Sequence, residues 1–99
     1  MKKRKLAKGF AVFDAADYLD NDEVIAAFLT EAAQDENPAI LMKAIASVAK
    51  ARGMAQVAKD AGLGRESLYK ALAPGAKPRF ETVAAVLKAL KMRIEVAAD

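Results

Sequence analysis

Two short helical patterns joined by a glycine-containing turn, at residues 53–72, constrain the fold of this 99-residue chain more than any other stretch. The first predicted helix, 54–61, ends at Gly62, because glycine enters the left-handed conformation without a steric penalty from a Cβ atom. The second, 65–72, places Leu68 on its inner face. A turn of about three or four residues sets two such helices roughly 90–120° apart, which is the helix-turn-helix geometry.

Polar side chains cover the outer face of the second predicted helix. In a helix-turn-helix protein, the N-terminal part of this helix faces base edges in the DNA major groove. Two helices with such a turn also occur in bundles that bind no nucleic acid, so the pattern alone leaves DNA binding and a protein-interaction bundle as open alternatives. The predicted base-reading residues are Arg65, Glu66, Ser67, Tyr69 and Lys70.

Residues 73–80 are predicted to form a loop, because they include two prolines and a glycine. A loop after a recognition helix runs beside the DNA backbone, where its cations can contact phosphates. Solvated loop charge is the alternative interpretation of those cations. The predicted phosphate contacts are Lys77 and Arg79 in the loop, with Gly53, Met54, Gln56 and Gly64 at the starts of the two helices.

Charge is segregated along the chain. Residues 1–8 hold five basic groups and no acid, residues 9–42 hold eight acids and no base, and residues 43–93 hold eleven basic and three acidic groups. The basic part contains the proposed DNA-reading helices, as counterion release from phosphates requires. The acidic part is unsuited to DNA and could face a basic partner.

Composition excludes several classes of function. The chain has neither cysteine nor histidine, which rules out disulfides, thiol chemistry and an imidazole base, and we expect no enzyme. No run of 18 apolar residues occurs, so we expect no membrane span and a cytoplasmic protein. Asp14, Asp17, Asp20 and Asp22 do not have the spacing of a calcium loop, and we predict no metal and no cofactor.

Caps and periodicity place the remaining elements. Asn21 is expected to cap one helix, and Asn37 with Pro38 to open the next. Val24, Ile40, Leu63 and Phe80 are expected to face the core. The predicted elements are a short strand or hydrophobic anchor at 10–13 and helices at 14–19, 22–34, 38–52, 54–61, 65–72 and 80–91.

The segment 92–96 alternates apolar and polar residues, which predicts a strand. A lone strand is unstable and its edge invites pairing, so we expect it to pair antiparallel with its own copy, centred on Ile94, in a homodimer. The alternative is internal pairing with residues 10–13. The predicted dimer contacts are Met92, Arg93, Ile94, Glu95 and Val96.

A helix, the two-helix unit, a basic Pro-Arg-Phe loop at 78–80 and a closing helix follow one another between residues 39 and 91. This order resembles the lambda-repressor and Cro-like helix-turn-helix class. We therefore expect an all-α fold: a lambda-repressor-like helix-turn-helix bundle at 38–91, an acidic N-terminal helical extension at 1–37 and a short C-terminal β-strand with a tail at 92–99. The residues that carry the resemblance are Val57, Ala58, Ala61, Gly62, Leu63, Leu68, Pro78, Arg79 and Phe80.

Three further stretches are FDAADYL at 13–19, DENP at 35–38 and GLGRESLYKAL at 62–72. With them, the chain as a whole is similar to the addiction-module antidote family. The resemblance implies the antitoxin of a type II toxin–antitoxin pair, which binds a small basic RelE-like toxin and double-stranded operator DNA and represses its own operon. A phage-type repressor without a toxin partner is the alternative that keeps DNA binding.

Overall fold

The computed structural model describes residues 21–99, so the elements predicted at 10–13 and 14–19 lie outside the described residues. Within residues 21–99 the chain is helical and contains no strand, which confirms the all-α part of the prediction for this region. The helices are α1 (Asp22–Ala33), α2 (Pro38–Arg52), α3 (Met54–Ala61), α4 (Arg65–Ala71) and α5 (Phe80–Ala89).

Asparagine side chains start the first two helices, as predicted. The Asn21 Oδ1 atom accepts hydrogen bonds from the backbone N–H groups of Glu23 and Val24, at 2.8 and 3.1 Å. The Asn37 Oδ1 atom accepts one from the Ala39 N–H at 3.0 Å, and Pro38 occupies the first helical position. These bonds satisfy backbone donors that have no partner inside the helix.

A single residue, Gly53, connects α2 to α3. Its N–H donates to the Ala49 carbonyl at 2.9 Å and closes α2, while its carbonyl accepts from the Val57 N–H at 3.0 Å and opens α3. The Gly53 φ angle is 103°, a conformation that L side chains rarely adopt. Glycine is therefore required at this joint.

One hydrophobic core extends through all five described helices. The α3 helix packs on α2, α4 and α5, while α1 packs on α2. Ile45 and Leu68 have no exposed surface, so α2 and α4 are both fixed to this core. The largest buried side chains are Ile25 of α1, Ile45 and Val48 of α2, Leu68 of α4, Val86 of α5 and Leu90 at its end.

Four residues expected to face the core are more exposed than the periodicity indicates. Val24 and Ile40 are 40% and 38% exposed, and Leu63 is only half-buried. Phe80 is 71% exposed, because α5 is anchored near its C-terminal end by Val86 and Leu90 and begins at Phe80. Helical spacing marks one face of a helix, but it does not show how much of that face a neighbour covers.

The predicted strand at 92–96 is not found. The α5 helix ends at Ala89. Two residues later Lys91 has a φ angle of 65°, and the Met92 N–H donates to the Leu87 carbonyl at 2.9 Å. Residues 93–99 then form neither helix nor strand, and Arg93 Nε donates to Glu95 Oε2 at 2.6 Å within the same segment. A strand needs a neighbour for its backbone groups, and no described part of this chain pairs with the segment.

Candidate nucleic-acid interface

A three-residue turn, 62–64, sets α4 against α3. The Leu63 N–H donates to the Ala58 carbonyl at 2.9 Å and the Gly62 N–H to the Lys59 carbonyl at 3.2 Å, the bonds of a Schellman motif. The Gly62 φ angle is 74°, so the left-handed residue predicted at this position is confirmed. Leu63 packs partly against the core beside Ala58, which fixes the turn to the body of the protein.

The α4 helix begins after Gly64 and is held by one side chain. Gly64 is extended, with φ −68° and ψ 150°, and no side chain caps the helix start. Leu68 is fully buried, and its N–H donates to the Gly64 carbonyl at 3.0 Å. This single anchor turns the opposite face of α4 towards solvent.

The exposed face of α4 carries all five residues that were predicted to read bases: Arg65, Glu66, Ser67, Tyr69 and Lys70. The central carbon of the Arg65 guanidinium lies 5.7 Å from the centroid of the Tyr69 ring, which is 45% exposed. This distance is within the range of a cation–π interaction. The ring therefore gives the Arg65 side chain a defined position on the helix surface.

A shallow pocket of about 480 Å³ lies where α4, the loop after it and the start of α5 meet. We call it the loop pocket. Its polar side chains come from three elements: Ser67 and Lys70 of α4, Lys77 and Arg79 of the loop, and Thr82 of α5. The structure thus brings two predicted base-reading residues together with both predicted phosphate-contacting loop cations. Thr82 was not predicted, although its hydroxyl in the first turn of α5 was a signal in the sequence.

The polar lining of the loop pocket is mainly cationic. Within residues 21–99, none of Lys70, Lys77 and Arg79 takes part in an ion pair. Among the described residues no acid lines the pocket, which also contains Leu63, Ala71, Ala76 and Pro78. Such a surface attracts anions, and it does so more strongly than a mixed surface of the same size.

The start of α3 is less suited than the loop to the phosphate contacts predicted for both. Met54 is 7% exposed, so its side chain belongs to the core and only its backbone could reach a phosphate. Gln56 Nε2 donates to Asp60 Oδ1 at 2.9 Å. This hydrogen bond uses part of the Gln56 amide and holds the Asp60 carboxylate beside it. No side chain caps α3 at Gly53, and neither Gly53, Met54 nor Gln56 lines the loop pocket.

A larger groove of about 790 Å³ lies between α2 and the same loop. Apolar residues such as Met42, Leu72 and Val83 line it together with Lys43, Lys50 and Lys77. Lys43 and Lys50 belong to α2, and Lys77 belongs to the loop that lies beside them. This arrangement depends on the packing of α5, to which the loop is tied.

Comparison with known proteins identifies the family. The family model described as "Probable addiction module antidote protein" matches residues 9–98. This chain belongs to that family. An uncharacterized protein of Haemophilus influenzae is 43% identical over 84 residues, covering 85% of this chain and 87% of the relative. No solved structure matches the chain significantly. Membership in an antidote family implies a toxin as a partner, in general terms.

The antidote chain carries exposed acids on and after α1. Glu23, Glu31, Asp35 and Glu36 are exposed, while Asp22 forms an ion pair with Arg52 at the end of α2. The described residues include no group of acids that could hold a metal ion. None of the helices between residues 21 and 99 is long and apolar enough to cross a membrane.

Proposed function

We propose that this chain is a sequence-specific DNA-binding antitoxin, which neutralises a RelE-like toxin and represses its own operon. In this proposal α3 and α4 form a helix-turn-helix of the lambda-repressor class. The observation that carries the proposal is the exposed polar face of α4, fixed by buried Leu68 and bordered by the cations of the loop pocket. Membership in the antidote family supports the antitoxin role.

Base reading is assigned to the first turn of α4. Arginine prefers the acceptors of guanine, and a glutamate accepts from the amino group of cytosine, so Arg65 and Glu66 are suited to adjacent contacts in a G·C-containing site. Both side chains are exposed, and the Tyr69 ring supports the guanidinium. Lys77 and Arg79 contribute phosphate contacts, which orient the helix without reading sequence.

The operator complex is proposed to contain two chains. One recognition helix covers a half-site, and two units lie about 34–36 Å apart on a dimeric operator. Segment 92–96 is proposed for this contact, because Ile94 and Val96 are 50% and 95% exposed, although Met92 packs against the core of its own chain. In an antiparallel pair centred on Ile94, Arg93 and Glu95 would exchange their present contact for one across the dimer.

The acidic surface of α1 is proposed to face the toxin. A ribonuclease-type toxin is basic, and complementary charge speeds encounter and fixes orientation. Ile25 and Leu29 of α1 belong to the common core, so removal of this helix would expose the core of the remaining chain. Charge reversal at exposed acids therefore tests the toxin contact better than truncation does.

The experiment measures fluorescence anisotropy of labelled duplexes with the full chain. One duplex carries the region upstream of its own gene and the other a scrambled sequence, at about 50 and 200 mM salt. We expect tighter binding to the upstream duplex, and we expect Arg65→Ala to weaken that binding by about 1–3 kcal/mol while reducing the preference for it.

The matched control is Lys88→Ala, an exposed cation on α5 that lines neither the loop pocket nor the groove beside α2. If Arg65→Ala lost equal affinity for both duplexes, the base-reading role of Arg65 would be contradicted. If the unaltered chain bound no DNA, the remaining alternative would be a protein-interaction bundle. Co-purification with a small basic protein encoded next to it would support the antitoxin over a phage-type repressor.

A further inference from the structure

We propose that the loop pocket is a single oxyanion site, which holds one backbone phosphate through Ser67, Lys70, Lys77, Arg79 and Thr82. This inference rests on the proposed DNA binding and goes beyond it, because it assigns two residues of α4 to the backbone rather than to base edges. It also adds Thr82, a residue of α5, to the interface.

Geometry divides the exposed face of α4 into two strips. Ser67 and Lys70 are three residues apart, so they lie on one side of the helix, and both line the loop pocket. Arg65 and Tyr69 are four residues apart and contact each other, and neither lines the pocket. The reading strip is therefore Arg65 with Tyr69, while the other strip faces the loop. Glu66 lies one turn before Lys70 and between the two strips, and it does not line the pocket.

The chemistry of the pocket suits a tetrahedral oxyanion. Two hydroxyl groups and three cationic side chains supply donors from α4, the loop and α5, and no acid of the part of the chain that the structure describes lines the pocket. A guanidinium and two ammonium groups form charge-assisted hydrogen bonds to phosphate oxygens. Within residues 21–99 these three cations have no ion-pair partner that a phosphate would need to displace.

The loop pocket is shallow and open to solvent, so its ligand can remain attached to a larger molecule that lies against this surface. A phosphodiester beside the major groove satisfies this condition, because α4 and the loop would lie along the same strand. A free phosphate has the same chemistry but pays the full entropy of immobilisation, whereas a phosphate within bound DNA is already held by the other contacts. We therefore assign the site to the DNA backbone.

The first test compares Thr82→Val with Thr82→Ser, using anisotropy on the upstream and scrambled duplexes. Valine keeps the shape of threonine and removes the hydroxyl, whereas serine retains the hydroxyl. We expect Thr82→Val to weaken binding to both duplexes about tenfold and Thr82→Ser to restore most of it. Circular dichroism checks that both variants fold, since Thr82 is half-buried.

The second test is Lys70→Gln, for which the two assignments predict different outcomes. A phosphate contact predicts equal loss on both duplexes and a salt slope reduced by about 0.9, since one counterion fewer is released. A base contact predicts loss confined to the upstream duplex, and that result would overturn the site, as would unchanged binding by both Lys70→Gln and Thr82→Val.

Titration of the unaltered chain with inorganic pyrophosphate, followed by amide NMR shifts, separates the sources of the anion. Weak shifts confined to the five residues of the site, Ser67, Lys70, Lys77, Arg79 and Thr82, together with the losses on DNA, support the site. Tight pyrophosphate binding without any DNA binding would contradict both the operator function and the backbone assignment. DNA binding that is insensitive to both Thr82→Val and Lys70→Gln would contradict the pocket site but not the operator function.

Discussion

The same substitution at two glycines, two residues apart, is expected to change stability in opposite directions. Gly62 has a φ angle of 74° and Gly64 a φ angle of −68°. A Cβ atom at Gly62 would meet no atom within 4 Å, so a side chain there encounters strain from the backbone conformation alone. At Gly64 it would lie 3.8 Å from Ser67 Oγ, which is ordinary van der Waals contact.

The magnitudes follow from these two conformations. Gly62→Ser adds about 1–2 kcal/mol of left-handed strain, partly offset by about 0.4–1 kcal/mol because serine restricts the unfolded chain. The net result is a loss of about 1 kcal/mol. In Gly64→Ser the serine restricts the unfolded chain by the same amount and supplies the missing helix cap, which is worth a few tenths of a kcal/mol. The free energy of unfolding should therefore rise by about 0.5–1 kcal/mol.

Equilibrium urea unfolding at one fixed protein concentration measures both effects. For a urea dependence of about 1–3 kcal/mol/M, the midpoints of the two variants should differ by roughly 0.5–2 M, with the unaltered protein between them. Gly62→Asn is the matched control, because asparagine tolerates the left-handed region and should lower the free energy of unfolding less than Gly62→Ser does. Midpoints that move the same way for both serine variants would refute the assignment of strain to Gly62 and of an open cap to Gly64.

Three other changes test separate parts of the structure. Lys91→Gly should raise the free energy of unfolding by about 0.5 kcal/mol in the same assay, because Lys91 has a φ angle of 65°; a loss would mean that its side chain makes a stabilising contact. Ile94→Pro should remove a ladder donor and split the proposed dimer in sedimentation, whereas a fully dimeric variant would place the contact elsewhere. Reversal of two exposed charges, Glu31→Lys with Glu36→Lys, should slow association with the toxin in stopped-flow measurements and leave the urea stability nearly unchanged. An unchanged association rate would exclude the acidic surface of α1 as the toxin contact.

Helix boundaries could be predicted closely because they depend on local chemistry. Asn21, Asn37 and Gly62 each act through backbone groups within a few residues, and the structure confirms all three. The left-handed Lys91 could not be predicted, since lysine has no preference for that conformation and the end of α5 is fixed by burial of Leu90.

The exposed face of the candidate site could be predicted from the sequence, but the arrangement of its elements could not. The exposed face of α4 followed from helical spacing around buried Leu68. The meeting of Lys70 with the loop and Thr82 depends on the position of α5, which is fixed by contacts with α3 far along the chain. Sequence spacing carries no information about such long-range packing, and for the same reason the exposure of Phe80 was missed.

The one-residue joint at Gly53 has a consequence for insertions and deletions among relatives. This glycine belongs to the end of α2 and to the start of α3 at once, so no spare residue can absorb a change in length. A residue added to either helix at this point would turn its buried face by about 100° and expose part of the core. The loop after α4 has no such restriction, because doubling its length costs only about 0.6 kcal/mol. Related sequences are therefore expected to vary in length after α4 and to keep constant length across the joint.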